Sequence, residues 1–269
     1  MKRQMKMVPE PAEEYTSIEI MATTAARQIR DREVVFVGTG LPMLASMLAL
    51  NTHAPHAVIM YESGYIGCRN MDTARIIGDI RLMYNLTQVT TMVDVLGLLQ
   101  SGKVDVGFLG GAEVDQYGNI NVTVIGDYNH PKVRLPGSGG AVDIATNARR
   151  LLIILNHEKR RFPEKVGYVT SPGWLEGGDS RERAGLPRGG PSKVITDLAV
   201  MGFDEQTKRM RLESVHPGVA VSKVRDETGF ELILPDKVAI TPPPTKEELR
   251  ILREVVDPTG FFLVRRMKG

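Results

Sequence analysis

At 269 residues, 42% hydrophobic and 25% charged, the chain has a globular composition long enough for one large domain or two small ones, which excludes a disordered or low-complexity polymer. Its 34 basic and 32 acidic residues leave a net charge of +2, too even a balance for binding to a nucleic-acid backbone. The one cysteine, Cys68, excludes an internal disulfide or a cysteine-rich metal site, and neither an apolar signal region nor a run of about 18 apolar residues occurs, so a cytoplasmic protein without a membrane partner is expected.

Residues 1–14 mix charge and proline without periodicity and read as a loose arm ahead of a single α/β domain over 15–269. A helix fits 16–30, where Ile18, Met21, Ala22, Ala25 and Ile29 recur at helical spacing behind a Thr16 or Ser17 cap. The β-branched run 33–38 predicts a strand that ends in Gly38-Thr39-Gly40, followed by a helix over 42–50 that opens on Pro42. A short strand over 57–61 ends at Glu62-Ser63-Gly64, a helix follows over 92–100, and a strand over 104–109 ends at Gly110-Gly111. Further strands are predicted over 151–155 and 165–169, and 171–192 is a long, turn-rich stretch around Trp174. A last helix over 246–256, capped by Thr245, stops at Asp257-Pro258, and the apolar run 261–264 needs a surface to bury against. Continuous apolar strands are buried on both faces, so the fold expected is α/β, an open and largely parallel sheet with helices on both faces. Its ligand crevice lies at the carboxyl ends of the strands.

Several of the loops there carry candidate chemistry. Gly38-Thr39-Gly40 opens like a dinucleotide fingerprint, but Met43 stands at the third glycine position, so a tight structural turn is the better account. No Walker motif and no nucleophile elbow occurs, which removes phosphoryl transfer and serine hydrolysis. His53 and His56 bracket Pro55 without further ligands and read as surface histidines, so no metal is expected. The run His157-Glu158-Lys159-Arg160-Arg161 reads as a solvated or partner-facing charge cluster. Cys68 is reactive only if its pKa is depressed, and a packed thiol is the plainer reading.

Glu62 ends an apolar strand where such a sheet presents residues to its ligand, although the same position suits a glutamate that caps a following helix. A carboxylate is ionised at neutral pH and acts as a nucleophile without a base, provided that it meets an activated acyl group and a place for the developing oxyanion. Gly137-Ser138-Gly139-Gly140 supplies such a place if its backbone N–H groups converge, and is a plain flexible turn if they do not.

VVFVGTGLP (34–42), YESG (61–64), GDIRLM (78–83), FLGGAEVDQYGNINVT (108–123), IGDYNHPKVRLPGSGGA (125–141), HEKRRF (157–162), YVTSPGW (168–174) and GFDEQTKRM (202–210) run collinearly over nearly the whole chain. In these blocks the chain resembles the β subunit of family I coenzyme A transferases, of the glutaconate CoA-transferase type. The resemblance implies that Glu62 is the covalent nucleophile, and that Gly137, Ser138, Gly139, Gly140 and Ala141 form the glycine loop beside the thioester. Ser63, Gly64 and Glu113 become possible substrate contacts, Glu113 standing where relatives usually have glutamine. It further implies ping-pong transfer through a glutamyl-CoA thioester between short-chain or dicarboxylic acids. CoA is then a substrate, no cofactor is tightly bound, and an α subunit is required in αβ units that assemble further. Relatives that lost the glutamate are decarboxylases or hydrolases, so a CoA-ester hydrolase or carbon-carbon lyase with Glu62 as general base is the alternative.

Overall fold

The computed structural model describes residues 10–69, 74–186 and 189–265. The arm expected over 1–14 therefore lies outside the described residues as far as residue 9, while Lys246 N–H donates to the Glu10 carbonyl at 3.0 Å and Pro11 bridges to Thr245.

In chain order the elements are α1 (Ser17–Ala26), β1 (Val34–Phe36), α2 (Leu41–Leu50), β2 (Val58–Tyr61), β3 (Tyr65–Ile66), β4 (Gln88–Val89), α3 (Met92–Gln100) and β5 (Val106–Leu109). Two hairpins follow, β6 (Glu113–Val114) with β7 (Ile120–Asn121) and β8 (Val124–Gly126) with β9 (Pro131–Arg134), and then α4 (Ala141–Asn147) and β10 (Arg150–Ile154). The chain continues through α5 (Ser180–Arg183), β11 (Pro191–Ile195), β12 (Ala199–Phe203), β13 (Met210–Val215), α6 (Val221–Asp226), β14 (Ala239–Ile240), α7 (Lys246–Ile251) and α8 (Phe261–Arg265).

A ten-stranded sheet runs in the order β14-β13-β12-β11-β10-β5-β1-β2-β3-β4. Its middle, from β11 through β10, β5 and β1 to β2, is parallel; β2-β3, β3-β4, β11-β12 and β12-β13 pair antiparallel, and β14 at the edge is parallel to β13. Side chains along the middle strands alternate between two cores. Val35, Ile59, Phe108 and Leu152 face α1, α2 and the C-terminal helices, whereas Phe36, Met60, Leu151 and Ile153 face α3 and α4. The sheet is thus open, largely parallel and covered on both faces, as the apolar strands imply.

α1 begins in a reciprocal capping box, in which Glu19 N–H donates to Thr16 Oγ1 at 3.3 Å and Thr16 N–H donates to Glu19 Oε2 at 2.8 Å. It stops at Ala26, short of the expected 30, where the ladder tightens to i→i−3 bonds, Gln28 N–H donating to the Ala25 carbonyl at 3.1 Å and Ile29 N–H to the Ala26 carbonyl at 3.0 Å, and Arg27 at its end turns its guanidinium onto the Glu248 carboxylate and the Pro242 and Pro243 carbonyls. α3 occupies the expected 92–100. The expected 246–256 helix is α7 followed by a π-helical turn, Leu252–Val256, ending at Asp257. The apolar run after it forms α8, whose Leu263 is buried in the same core as Leu252 and Val256.

The strand predicted over 165–169 is a correction, since this segment bends across the surface. Only Val166 is buried there, Tyr168 and Val169 are exposed, and β11 holds the place beside β10 with the better-buried pair Val194 and Ile195. No helix among the described residues is long and apolar enough to cross a membrane.

Candidate functional site

The carboxyl ends of β1, β2 and β5 lie side by side, and β2 delivers Glu62. Glu62, Ser63 and Gly64 turn the chain into antiparallel β3, with Gly64 N–H donating to the Tyr61 carbonyl at 3.0 Å and Thr90 N–H donating to the Gly64 carbonyl at 2.8 Å. Gly64 has φ +95°, and a methyl group on it would stand 2.2 Å from the Thr90 carbonyl oxygen, so only glycine fits this turn. A strand rather than a helix follows Glu62, which overturns the helix-capping alternative. Beneath it Tyr61 is fully buried, and burial, with Cys68 adding to it, pushes its pKa up. Burial likewise pushes the Cys68 thiol up to about 12, the opposite of an activated thiolate.

The glycine loop approaches from the β8–β9 hairpin. Leu135 N–H donates to the Thr123 carbonyl at 3.0 Å and Gly137 N–H to the Val122 carbonyl at 2.8 Å, which pins the entry of the loop. Gly137 and Gly139 take φ +91° and +49°, and the Ser138 hydroxyl accepts from Val142 N–H at 3.3 Å while donating to the Gly139 carbonyl at 2.9 Å. The backbone N–H groups of Gly139 and Gly140 donate to no acceptor among the described residues. Gly140 is buried at the start of α4, directly against Glu62. A methyl group on Gly140 would lie 2.9 Å from Glu62 Oε1, 3.0 Å from Cδ and 3.3 Å from Oε2. The fold therefore brings together the half-buried carboxylate and the loop with free donors.

Other residues singled out in the sequence make contacts of their own. Ser63 Oγ donates to the Ile77 carbonyl at 2.6 Å, and Ile77 N–H donates to Thr39 Oγ1 at 3.3 Å, so the Gly38-Thr39-Gly40 turn is tied to the turn that holds Glu62. Ala141 opens α4. The Glu113 carboxylate accepts from Asn121 Nδ2 at 2.7 Å, across the β6–β7 pair. Thr39, Ile77 and Asn121 carry no chemistry that would mark them in sequence; Asn121 was visible only as part of a long matching block.

The histidines divide. His56 stands on the surface beside Asp31, with Nδ1 3.0 Å from its Oδ2, and His53 Nε2 lies 3.0 Å from the Ile29 carbonyl. Among the described residues no three His, Cys, Asp or Glu side chains converge as ligands for a metal. His157 corrects the reading of 157–161 as a solvated or partner-facing charge cluster at its first residue. It is buried between Thr196 Oγ1 and Thr228 Oγ1, each 3.0 Å from a ring nitrogen, and stacks on Phe162. Burial lowers its pKa to about 4, so the ring is neutral. The remainder does form surface ion pairs, Arg160 and Arg161 both reaching Glu158.

A cleft of about 1020 Å³ opens elsewhere, between Tyr117, Asn119, Lys165, Glu176 and Arg183. Neither Glu62 nor the glycine loop lines it.

The model of the Coenzyme A transferase family matches residues 18–227. The chain is 42% identical to the β subunit of glutaconate CoA-transferase from Acidaminococcus fermentans over 255 residues, covering 93% of this chain and 95% of that one. It is 45% identical to the β subunit of 3-oxoadipate CoA-transferase from Pseudomonas knackmussii over 240 residues, covering 89% and 92%. The crystal structure of glutaconate coenzyme A-transferase from Acidaminococcus fermentans superposes with a TM-score of 0.87 at 41% identity, covering 93% of this chain and 97% of that one.

Proposed function

The chain belongs to the coenzyme A transferase family, as a β subunit of the glutaconate or 3-oxoadipate type, and we propose that it carries the nucleophile of a ping-pong CoA transfer between carboxylic acids. The observation that carries this reading is the contact of the Glu62 carboxylate with Gly140.

A Glu62 oxygen attacks the carbonyl carbon of an acyl-CoA, and the tetrahedral adduct expels CoA thiolate to leave an acyl-glutamyl anhydride. The thiolate then attacks the glutamyl carbonyl, the C–O bond of the anhydride breaks, and the donor acid departs as its carboxylate. What remains is Glu62 as a CoA thioester. The acceptor carboxylate runs the same two steps in reverse, so no proton, electron or water is consumed. Each tetrahedral adduct carries an oxyanion, and the N–H groups of Gly139 and Gly140, which have no acceptor among the described residues, are suited to receive it. Ala141 fixes where the loop enters α4. Ser63 and Gly64 hold the nucleophile's turn and border the substrate.

CoA and two carboxylic acids are the substrates, of short-chain or dicarboxylic type, by analogy with relatives named for glutaconate and 3-oxoadipate. Those relatives are named as one kind of subunit, which implies another, and the reading includes an α subunit that completes the site and αβ units that assemble further. Large apolar side chains left open beside the site's edge of the sheet, Ile80, Tyr84, Val89 and Val93 among them, support a chain that does not work alone.

The test uses the complex co-expressed with its α subunit, incubated with acetyl-CoA and then borohydride, which reduces a glutamyl thioester and leaves a free carboxylate untouched. The expected result is a reduced residue mapped to Glu62, and a Glu62→Gln complex slower in CoA exchange by about a thousandfold or more. Free CoA accumulating without a new thioester, and no modification at Glu62 during turnover, would replace transfer by hydrolysis or lyase chemistry.

A further inference from the structure

We propose that Glu113 is a positioning residue of the transfer reaction, acting as the hydrogen-bond acceptor that locks Asn121 and, through it, the anchor of the glycine loop. This inference rests on the reading of Glu62 as nucleophile and of 137–140 as the loop that serves it.

Asn121 is fully buried, and all four of its amide valences are engaged. One Nδ2 proton goes to Glu113 Oε2 at 2.7 Å and the other to the Val124 carbonyl at 2.7 Å. Its Oδ1 accepts from Thr123 N–H at 3.0 Å and Val124 N–H at 3.3 Å. The side chain thus staples the turn over 121–124 shut from inside. Two carbonyls of that turn hold the glycine loop, that of Val122 binding Gly137 N–H at 2.8 Å and that of Thr123 binding Leu135 N–H at 3.0 Å. Thr170 supports the same turn from the other side, its hydroxyl accepting from Val122 N–H at 2.9 Å and lying 2.7 Å from Thr123 Oγ1. Only Ser138 and Gly139 separate the pinned Gly137 from Gly140, which lies so close to Glu62 that a methyl group there would have to displace the carboxylate.

If Glu113 gives up its oxygen, one buried Nδ2 proton has no acceptor. Asn121 must then keep an orphaned donor or turn its amide and abandon the bonds to Thr123 and Val124, and either loosens the turn. Loop displacement of a few tenths of an ångström is enough to move the oxyanion donors off the reacting carbonyl. What this task requires of Glu113 is an acceptor, not a charge. The sequence alone suggested a different role, a carboxylate in contact with the acid substrate, and the two roles part company when the charge is removed and the oxygen kept.

Glu113→Gln and Glu113→Met, each in the complex co-expressed with the α subunit, separate them. Steady-state exchange is measured from acetyl-CoA to glutaconate and to propionate, with borohydride trapping and thermal unfolding run on every variant. Glu113→Gln is expected to keep kcat within about twofold, the same ratio between the two acceptors and the same pH profile. Glu113→Met, of similar length but without an acceptor, is expected to lose about tenfold or more in kcat with KM for acetyl-CoA little changed, while still trapping a thioester more slowly. If Glu113→Met does not fold, Glu113→Asp, which withdraws the oxygen by one methylene, takes its place with the same expected loss. The proposal is overturned if Glu113→Gln loses as much as Glu113→Met, changes the acceptor ratio or shifts the pH profile, because the charge then matters to substrate. It is equally overturned if the acceptor-free variant turns over at the wild-type rate. Failure of the nucleophile reading would appear separately, as an unmodified Glu62 in the wild-type complex before any variant is compared.

Discussion

Among single residues, Gly140 and Glu62 define the site by touching, and the contact has a testable asymmetry. Gly140 has φ −76°, which any L-residue adopts, so Gly140→Ala meets no backbone strain and presses only on the flexible end of Glu62. Stability should therefore change by no more than about 0.5 kcal/mol in a urea titration, while CoA exchange falls about tenfold or more as the carboxylate is pushed from its place. A wild-type exchange rate in Gly140→Ala would dissolve the pairing. Gly64 is the opposite case, since its φ and the Thr90 carbonyl both forbid a side chain, and substitution there attacks the hairpin itself. Cys68 yields a second prediction at this scale. Buried and pushed up to about 12, it should resist an alkylating reagent at pH 8 in the native protein and react once urea is added. Rapid native labelling would mean that the region around Cys68 opens. Glu62 and the glycines were legible in sequence because a carboxylate at a strand end and a glycine cluster are local patterns. No local pattern carried their adjacency, because β3, β4, α3 and strands β5 to β9 intervene in the chain, and before the structure it rested on the family resemblance alone.

At the scale of elements, the starts of α1 and α7 were legible because a cap is written in consecutive residues, whereas the short helices α4, α5, α6 and α8 were not read at all. Thr16, Thr91 and Thr245 each cap a helix reciprocally with an acidic residue three positions on. For α7 that partner, Glu248, also receives a two-pronged ion pair from Arg27 at the end of α1, at 2.8 and 2.6 Å. Thr245→Ala should then cost about 1 kcal/mol, the value of a lost cap, whereas Glu248→Ala should cost about 2 to 3 kcal/mol because it also takes the carboxylate from a half-buried guanidinium and leaves it only the Pro242 and Pro243 carbonyls. Equal losses in denaturant titrations of the two variants would show that the Arg27 pair contributes nothing. The segment 165–169 was misread for an equally local reason. Its valines and tyrosine carry strand propensity, but propensity does not say which segment docks beside β10, and β11 buries more there.

For the molecule as a whole, the buried histidines govern the response to acid. His157, lowered by burial to about 4 against an ordinary 6.5, is neutral in the native state and takes up a proton on unfolding anywhere between those values. Its contribution is complete above about pH 6.5, is lost as pH falls toward about 4, and amounts to on the order of 3 kcal/mol. Burial also lowers His216, which adds loss of the same sign below its ordinary value. Burial pushes Glu19 and Glu248 up, but Arg253 with the Thr16 cap and Arg27 with the Thr245 cap outweigh it and hold both below their ordinary value, so their share is lost only as pH drops further, below about 4.5. Urea midpoints should therefore fall between pH 7.5 and 5.0, and His157→Gln should flatten much of that slope. An unchanged slope in the variant would place the acid sensitivity elsewhere.

What the sequence determined by itself was whatever is encoded by neighbours along the chain: apolar strands too continuous to have a wet face, reciprocal helix caps, glycines at turns and a glutamate at a strand end. From these followed an open, largely parallel sheet with two covered faces and the end of it where chemistry belongs. Tertiary structure alone decided the antiparallel pairing of β11 with β12 and of β12 with β13, the burial of His157, the bend at 165–169, and the close fit of Gly140 against the Glu62 carboxylate, where the resemblance had implied only a neighbouring loop. The physical reason is that each of these depends on competition between distant segments for one buried surface, and the energy of that competition lies in packing and desolvation that no local pattern of residues contains.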